Sequence, residues 1–269
     1  MIFGWWRRRR RRKLLAQPRP EAWTTWLEPY PLFAPLDAAE RERVLDIARV
    51  IVAEKRWEGC AGLELDEEMQ VVIAAQAALL LLELEHDYFP EVRSILVFPR
   101  SYETPFPRHG PGGVVTTGAQ HAGEAWYRGP VILAWDWVRH GASDEKDGTN
   151  LVLHEFAHRL DFGDGWIDGT PRLRAPGALD TWRRVMTREF ADLREAARRG
   201  RRHILDHYGA TDEAEFFAVA TETFFEKGTV LQRDHAELYD VLKTYYGQDP
   251  VARSRRYAER RESGLDETN

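Results

Sequence analysis

The sequence predicts a mostly helical α+β domain with a small sheet, and three observations carry that prediction. Val71 to Leu82 is an apolar run broken only by Gln76 and flanked by Glu67, Glu68, Glu83 and Glu85, which reads as a buried helix. Ser94 to Phe98 and Val131 to Trp135 are short apolar runs bounded by proline or glycine, the pattern of strands. From Asn150 onward the apolar spacing is helical. A chain of 269 residues with 43% hydrophobic and 30% charged residues can bury one sizeable core, which excludes a disordered or collagen-like polymer.

The elements follow in order. Residues 1–20 hold Arg7 to Arg12, Lys13 and Arg19 and no acid. An apolar stretch precedes these charges and only Leu14, Leu15 and Ala16 follow, the reverse of a secretory signal. This segment is expected to be a solvated, disordered arm, with adhesion to membrane or nucleic acid as the sharper alternative. The net charge is −6, and the residues after position 20 carry 30 cations against 44 acids, a net −14. A body that acidic argues against a generic nucleic-acid or anionic-membrane surface, except through the basic segment itself, and no direct nucleic-acid binding is expected. The run 71–82 is shorter than the roughly 20 residues that cross a bilayer, so no transmembrane segment is expected. Glycines at 110, 112, 113, 118 and 123 suggest loops and a hairpin between the two strands. Helices are expected over Leu151 to Asp161, Ala178 to Arg199, Asp212 to Glu226 and Asp234 to Tyr246, with Thr211 or Asp212 as an N-cap. Pro250 is expected to end the last element. One domain thus spans 21–256, followed by a charged flexible tail over 257–269. The single cysteine, Cys60, cannot close an intramolecular disulfide, which fits a reducing cytoplasm.

His154-Glu-Phe-Ala-His158 is the most informative pentapeptide. On a helix its two histidines sit one turn apart on the same face and can reach one ion, while Glu155 can reach a water at that ion. A catalytic ion needs a third protein ligand. The metzincin pattern requires glycine and histidine three and six residues after His158, where Asp161 and Asp164 stand. A thermolysin-like spacing would place a glutamate near 177 or 178, where Gly177 and Ala178 stand. Two acids lie further on in apolar helix, Glu215 and Glu222, seven apart and therefore on one face. One could bind the ion and the other orient a histidine; spacing does not decide between them. His203 and His207 form a second pair at helical spacing, read as exposed histidines on a basic turn. His86, His109, His121, His140 and His235 read as isolated surface or structural residues. The ten tryptophans and Cys60 read as core.

Asn150-Leu-Val-Leu-His-Glu-Phe-Ala-His-Arg-Leu-Asp161 and Tyr208-Gly-Ala-Thr-Asp-Glu-Ala-Glu-Phe-Phe-Ala-Val219 resemble the Mlc titration factor A family of zinc peptidases. The second block also resembles the catalytic domain of anthrax lethal factor. Weaker likeness runs from about residue 30 to 253, through Gly62 to Asp66, Ile95 to Pro99, Gly129 to Trp135 and Tyr245 to Arg253. The resemblance implies a zincin-like metallopeptidase domain of the gluzincin type, with the small sheet next to the active-site helix. It implies that His154, His158 and Glu215 hold Zn2+, that Glu155 is the general base, and that Tyr208 faces the scissile carbonyl. It gives Glu222 and Asp161 orienting roles behind the ligands. It further implies a peptide or protein substrate, aminopeptidase activity among the possibilities, and in enterobacterial members cytoplasmic binding of the transcriptional repressor Mlc. The alternative from another class is a regulatory protein that sequesters a transcription factor, with zinc serving structure or regulation. Val131 to Trp135 is expected to be an edge strand that pairs with extended substrate.

Overall fold

A computed structural model describes residues 2–100, 129–144, 147–173 and 177–263. The expected hairpin with its five glycines lies outside the described residues. The first helix, α1 (Ile2–Leu15), replaces the disordered arm expected over 1–20. Arginine is a good helix former, and one member of the run is tied to the body. The Arg11 guanidinium donates to both oxygens of Glu54 at 2.8 and 2.7 Å, pairs with Asp87, and lies 4.4 Å from the centre of the Tyr88 ring. Arg49 then donates to the Gln17 carbonyl at 2.7 Å, fixing the chain that leaves α1. A run of six arginines followed by Lys13 conceals such a tie, because nothing local distinguishes Arg11 from its neighbours.

After α2 (Ala22–Leu27) comes α3 (Ala38–Glu54), an element the sequence reading passes over although its start is signalled. Asp37 accepts from the Glu40 backbone and Glu40 accepts from the Asp37 backbone, a reciprocal capping box. Strand β1 (Arg56–Gly59) leads to α4 (Glu67–Leu81), where Asp66 caps the Met69 backbone at 2.8 Å. Every residue from Val71 to Leu81 is buried, so α4 is the central rod. Burying each Leu, Ile or Val in it contributes about 1.5–3 kcal/mol. Strands β2 (Ser94–Phe98) and β3 (Val131–Ala134) complete a sheet in the order β1-β2-β3. Both pairings are parallel, with Trp57 opposite Ile95 and Ile95 opposite Val131. Trp135 starts helix α5 (Trp135–Ser143) rather than ending β3. Among the described residues β3 lies at the sheet edge.

The remaining helices are α6 (Leu151–Asp161), α7 (Ala178–Arg198), α8 (Glu213–Glu226), α9 (Gly228–Asp234), α10 (Ala236–Tyr246) and α11 (Pro250–Glu262). A 3-10 turn at His207–Ala210 precedes α8. The helix expected over Asp234 to Tyr246 therefore starts two residues later, with His235 separating it from α9. Pro250 begins a helix instead of ending one: proline is tolerated at the first helical position, and Asp249 caps the Ala252 backbone at 2.9 Å. The chain stays helical to Glu262, so residues 257–262 are helix where a flexible tail is expected over 257–269; residues 264–269 lie outside the described set. Phe156, Phe216, Phe217, Phe224, Tyr239 and Tyr246 are fully buried and join α6, α8 and α10 in one core. No described helix is long and apolar enough to cross a membrane.

Candidate metal centre

The buried amide of Gln76, the one polar interruption of the α4 run, sets the position of α6. Its nitrogen donates to the Val138 carbonyl at 3.3 Å and the Val72 carbonyl at 3.4 Å, and its oxygen accepts from Asn150 Nδ2 at 3.0 Å. Asn150 in turn caps α6 through the Leu153 backbone at 2.9 Å. Helix α5 comes so close here that a Cβ on Gly141 would lie 3.0 Å from Asn150 Cα, which only glycine allows without displacement. On α8, Asp212 caps the Glu215 backbone at 2.9 Å. That places Glu215 in the first turn, where the helix end favours a carboxylate.

These supports bring three expected ligands together. Glu215 Oε2 lies 3.1 Å from His154 Nε2 and 3.4 Å from His158 Nε2, and the two Nε2 atoms are 3.2 Å apart. All three side chains are buried. The unshared electron pairs of such atoms repel one another unless a proton or a cation lies between them, and Glu215 Oε2 completes no hydrogen bond among the described residues. Two imidazole nitrogens and one carboxylate oxygen form a donor set suited to a divalent metal. The residues present therefore fit a metal ion. Burial would raise the Glu215 carboxyl, but His158 and His154 hold it well below the usual carboxylate range.

The other expected residues surround this cluster. Glu222 accepts from the Asn150 backbone at 2.6 Å and lies 2.7 Å from His154 Nδ1. With the Nδ1 proton directed at Glu222, His154 Nε2 presents its lone pair to the cluster. Burial pulls the His154 imidazole down, yet Glu222 and Glu215 raise it well above its ordinary value. Asp161 accepts from the Gly169 backbone at 2.9 Å. Burial pushes its carboxyl up to about 6 against the opposing pull of that N–H and of His158. The Gly169 loop is pressed onto α8 so closely that a Cβ there would meet the Glu213 carbonyl oxygen at 2.3 Å, and its φ of +71° also suits glycine. Tyr208 Oη donates to Glu215 Oε1 at 3.0 Å. Glu155 is 8% exposed and its Oε1 meets no donor among the described residues. Gln76 and Asn150 are the positioning residues that sequence reading missed; the signal available was an amide inside an otherwise unbroken apolar run.

A second group of possible ligands, Asp192, His203 and His235, also converges. It corrects two expectations. Residues 203–206 are not helical, so His203 and His207 are not on one helix face. His235 is not isolated: its Nδ1 lies 2.6 Å from Glu189 Oε2, and its ring centre is 4.8 Å from that of His203. His203 Nδ1 accepts from the Leu205 backbone at 3.1 Å, which leaves the proton of the neutral ring on Nε2, facing Asp192 at 3.5 Å. A protonated nitrogen offers a metal no lone pair.

The chain is similar to known proteins along most of its length. The profile described as glucose-regulated metallo-peptidase M90 matches residues 3–247. An uncharacterized protein of Synechocystis sp. is 36% identical over 249 residues, covering 91% of this chain and 90% of the relative. Mlc titration factor A of Serratia proteamaculans is 31% identical, covering 89% of this chain and 93% of that protein. Mlc titration factor A of Yersinia enterocolitica is also 31% identical, with 90% and 91% covered. A match of that extent, over a helix that brings two histidines and a distant glutamate to one point, identifies the chain as a member of the glucose-regulated M90 metallopeptidase family.

Proposed function

We propose that the protein is a zinc-dependent peptidase of the gluzincin type, with His154, His158 and Glu215 as the metal ligands. The observation that carries this reading is the convergence of those three buried donors beside a carboxylate, Glu155, whose buried oxygen has no partner among the described residues. Bound there, zinc would acidify a water toward a pKa of about 7 and polarise the substrate carbonyl. Glu155 accepts the proton of the attacking water on its free oxygen and returns it to the leaving amine. The Tyr208 hydroxyl, now on Glu215, donates to the oxygen of the scissile carbonyl as negative charge develops there. Glu222 holds the His154 ring in register through Nδ1, and Asp161 acts on the His158 side. The edge position of β3 among the described residues supports pairing with an extended peptide. Preference for free amino termini, as in an aminopeptidase, is part of the proposal.

A second reading adds a partner. Relatives named Mlc titration factor A favour binding of an Mlc-like transcriptional repressor, in the cytoplasm that the lone Cys60 suits. In that reading zinc serves structure or regulation. Glu155→Gln separates the two. The peptidase reading expects hydrolysis of short peptides to fall by roughly 10²–10⁴-fold with zinc content and repressor binding unchanged. Hydrolysis at the wild-type rate would overturn it.

A further inference from the structure

We propose that α1 is a docking element for an anionic lipid surface. Six cations of α1 are exposed: Arg7, Arg8, Arg9, Arg10, Arg12 and Lys13. Arg7 pairs with Asp87 at 2.9 Å; the other five make no ion pair among the described residues. They remain unneutralised on a body that carries a net charge of −14 after residue 20. The helix is aimed by one residue, since Arg11 turns inward to Glu54, Asp87 and Tyr88 while its neighbours turn outward.

Trp5 and Trp6 give the surface its second character. They are 45% and 59% exposed, in contrast to the buried Trp23 and Trp182, and they pack edge to face at 5.2 Å. Apolar and cationic residues are thus segregated along the axis of α1, with the indoles before the arginines. Indoles favour the headgroup layer of a bilayer, and clustered cations favour anionic headgroups. A nucleic acid would also attract the cations, but a stacking platform needs open ring faces. Arg9 covers a face of Trp5 at 5.3 Å and Trp6 packs against it, so the pair suits a headgroup layer better than a base. The acidic body opposes close approach to any polyanion, which limits contact to α1 and makes the association reversible and sensitive to salt.

The test uses the full chain in co-sedimentation with vesicles of phosphatidylglycerol in phosphatidylcholine, and with vesicles of phosphatidylcholine alone. The expected result is binding to the first, none to the second, and release by salt. Combined substitution of Arg8, Arg9, Arg10 and Arg12 by Gln, with Arg11 kept, should lower the partition coefficient roughly a hundredfold or more. Combined Trp5→Ala and Trp6→Ala should lower it less, by roughly tenfold. The thermal transition of both variants should match the wild type, because the changed residues are exposed. Absence of vesicle binding, equal binding to both vesicle types, or undiminished binding by the arginine variant would overturn the proposal. So would displacement from vesicles by a short DNA duplex at equal phosphate concentration, which would assign α1 to nucleic acid.

Discussion

Among the described residues, two places bring histidines and carboxylates within reach of a metal, and they differ in what stands behind the ligands. At the first, His154 and His158 lie on one helix, Glu215 is fixed in the first turn of another, and Glu222 accepts a hydrogen bond from His154 Nδ1 so that the Nε2 lone pair faces inward. At the second, His203 comes from a loop, its Nδ1 is occupied by the Leu205 N–H, and Asp192 is exposed. Residue type and proximity are alike in the two clusters; tautomer and burial are not. What makes a cluster a metal centre is the hydrogen bond on the far nitrogen, which decides where the lone pair points.

The largest effect that sharpens this contrast is on turnover. Tyr208→Phe removes the hydroxyl that meets Glu215 and should lower kcat roughly 10²–10³-fold, with zinc content unchanged, in steady-state assays on a short peptide. A change confined to KM would mean the hydroxyl serves binding alone. Next in size, Glu222→Gln weakens the hold on His154 Nδ1, and a competitive chelator titration should show zinc affinity reduced roughly 10–100-fold. An unchanged affinity would remove the difference between the clusters on which the comparison rests.

The smallest effect is a titration. Glu189 raises His235 above its ordinary 6.5, while burial and the neighbouring His235 lower His203 below it. The fold therefore favours neutral His203, whose contribution to stability is present above 6.5 and is lost as pH falls through its lowered value. NMR of the ring protons should place His235 above and His203 below 6.5, and His203→Asn should flatten the decline of thermal stability on the acid side. A His203 that titrates above 6.5 would mean its ring is charged in the fold.

Much of this was legible in the sequence, for reasons the residues make clear. The α4 core rod, strands β2 and β3 and α6 to α8 carry strong local patterns, and the spacing of His154 and His158 needs only helix geometry. The choice between Glu215 and Glu222 was not legible from spacing, because residues seven apart share a face; it depends on where α8 begins, at the Asp212 cap, relative to α6. The second cluster was hidden because Asp192, His203 and His235 meet only through tertiary packing. Helix α1 was misread because an arginine run shows no periodicity, so the one inward residue leaves no mark. Strand β1, Arg56-Trp-Glu-Gly59, is as short as β3 but has two charged residues and only partial burial, so no apolar run marks it.

The central claim is that the His154 cluster holds the ion and the His203 cluster does not. Elemental analysis of purified wild type, His158→Ala and His203→Asn tests it most directly. The account predicts zinc near one per chain in the wild type and in His203→Asn, and its loss in His158→Ala; zinc retained by His158→Ala, or lost from His203→Asn, would contradict it.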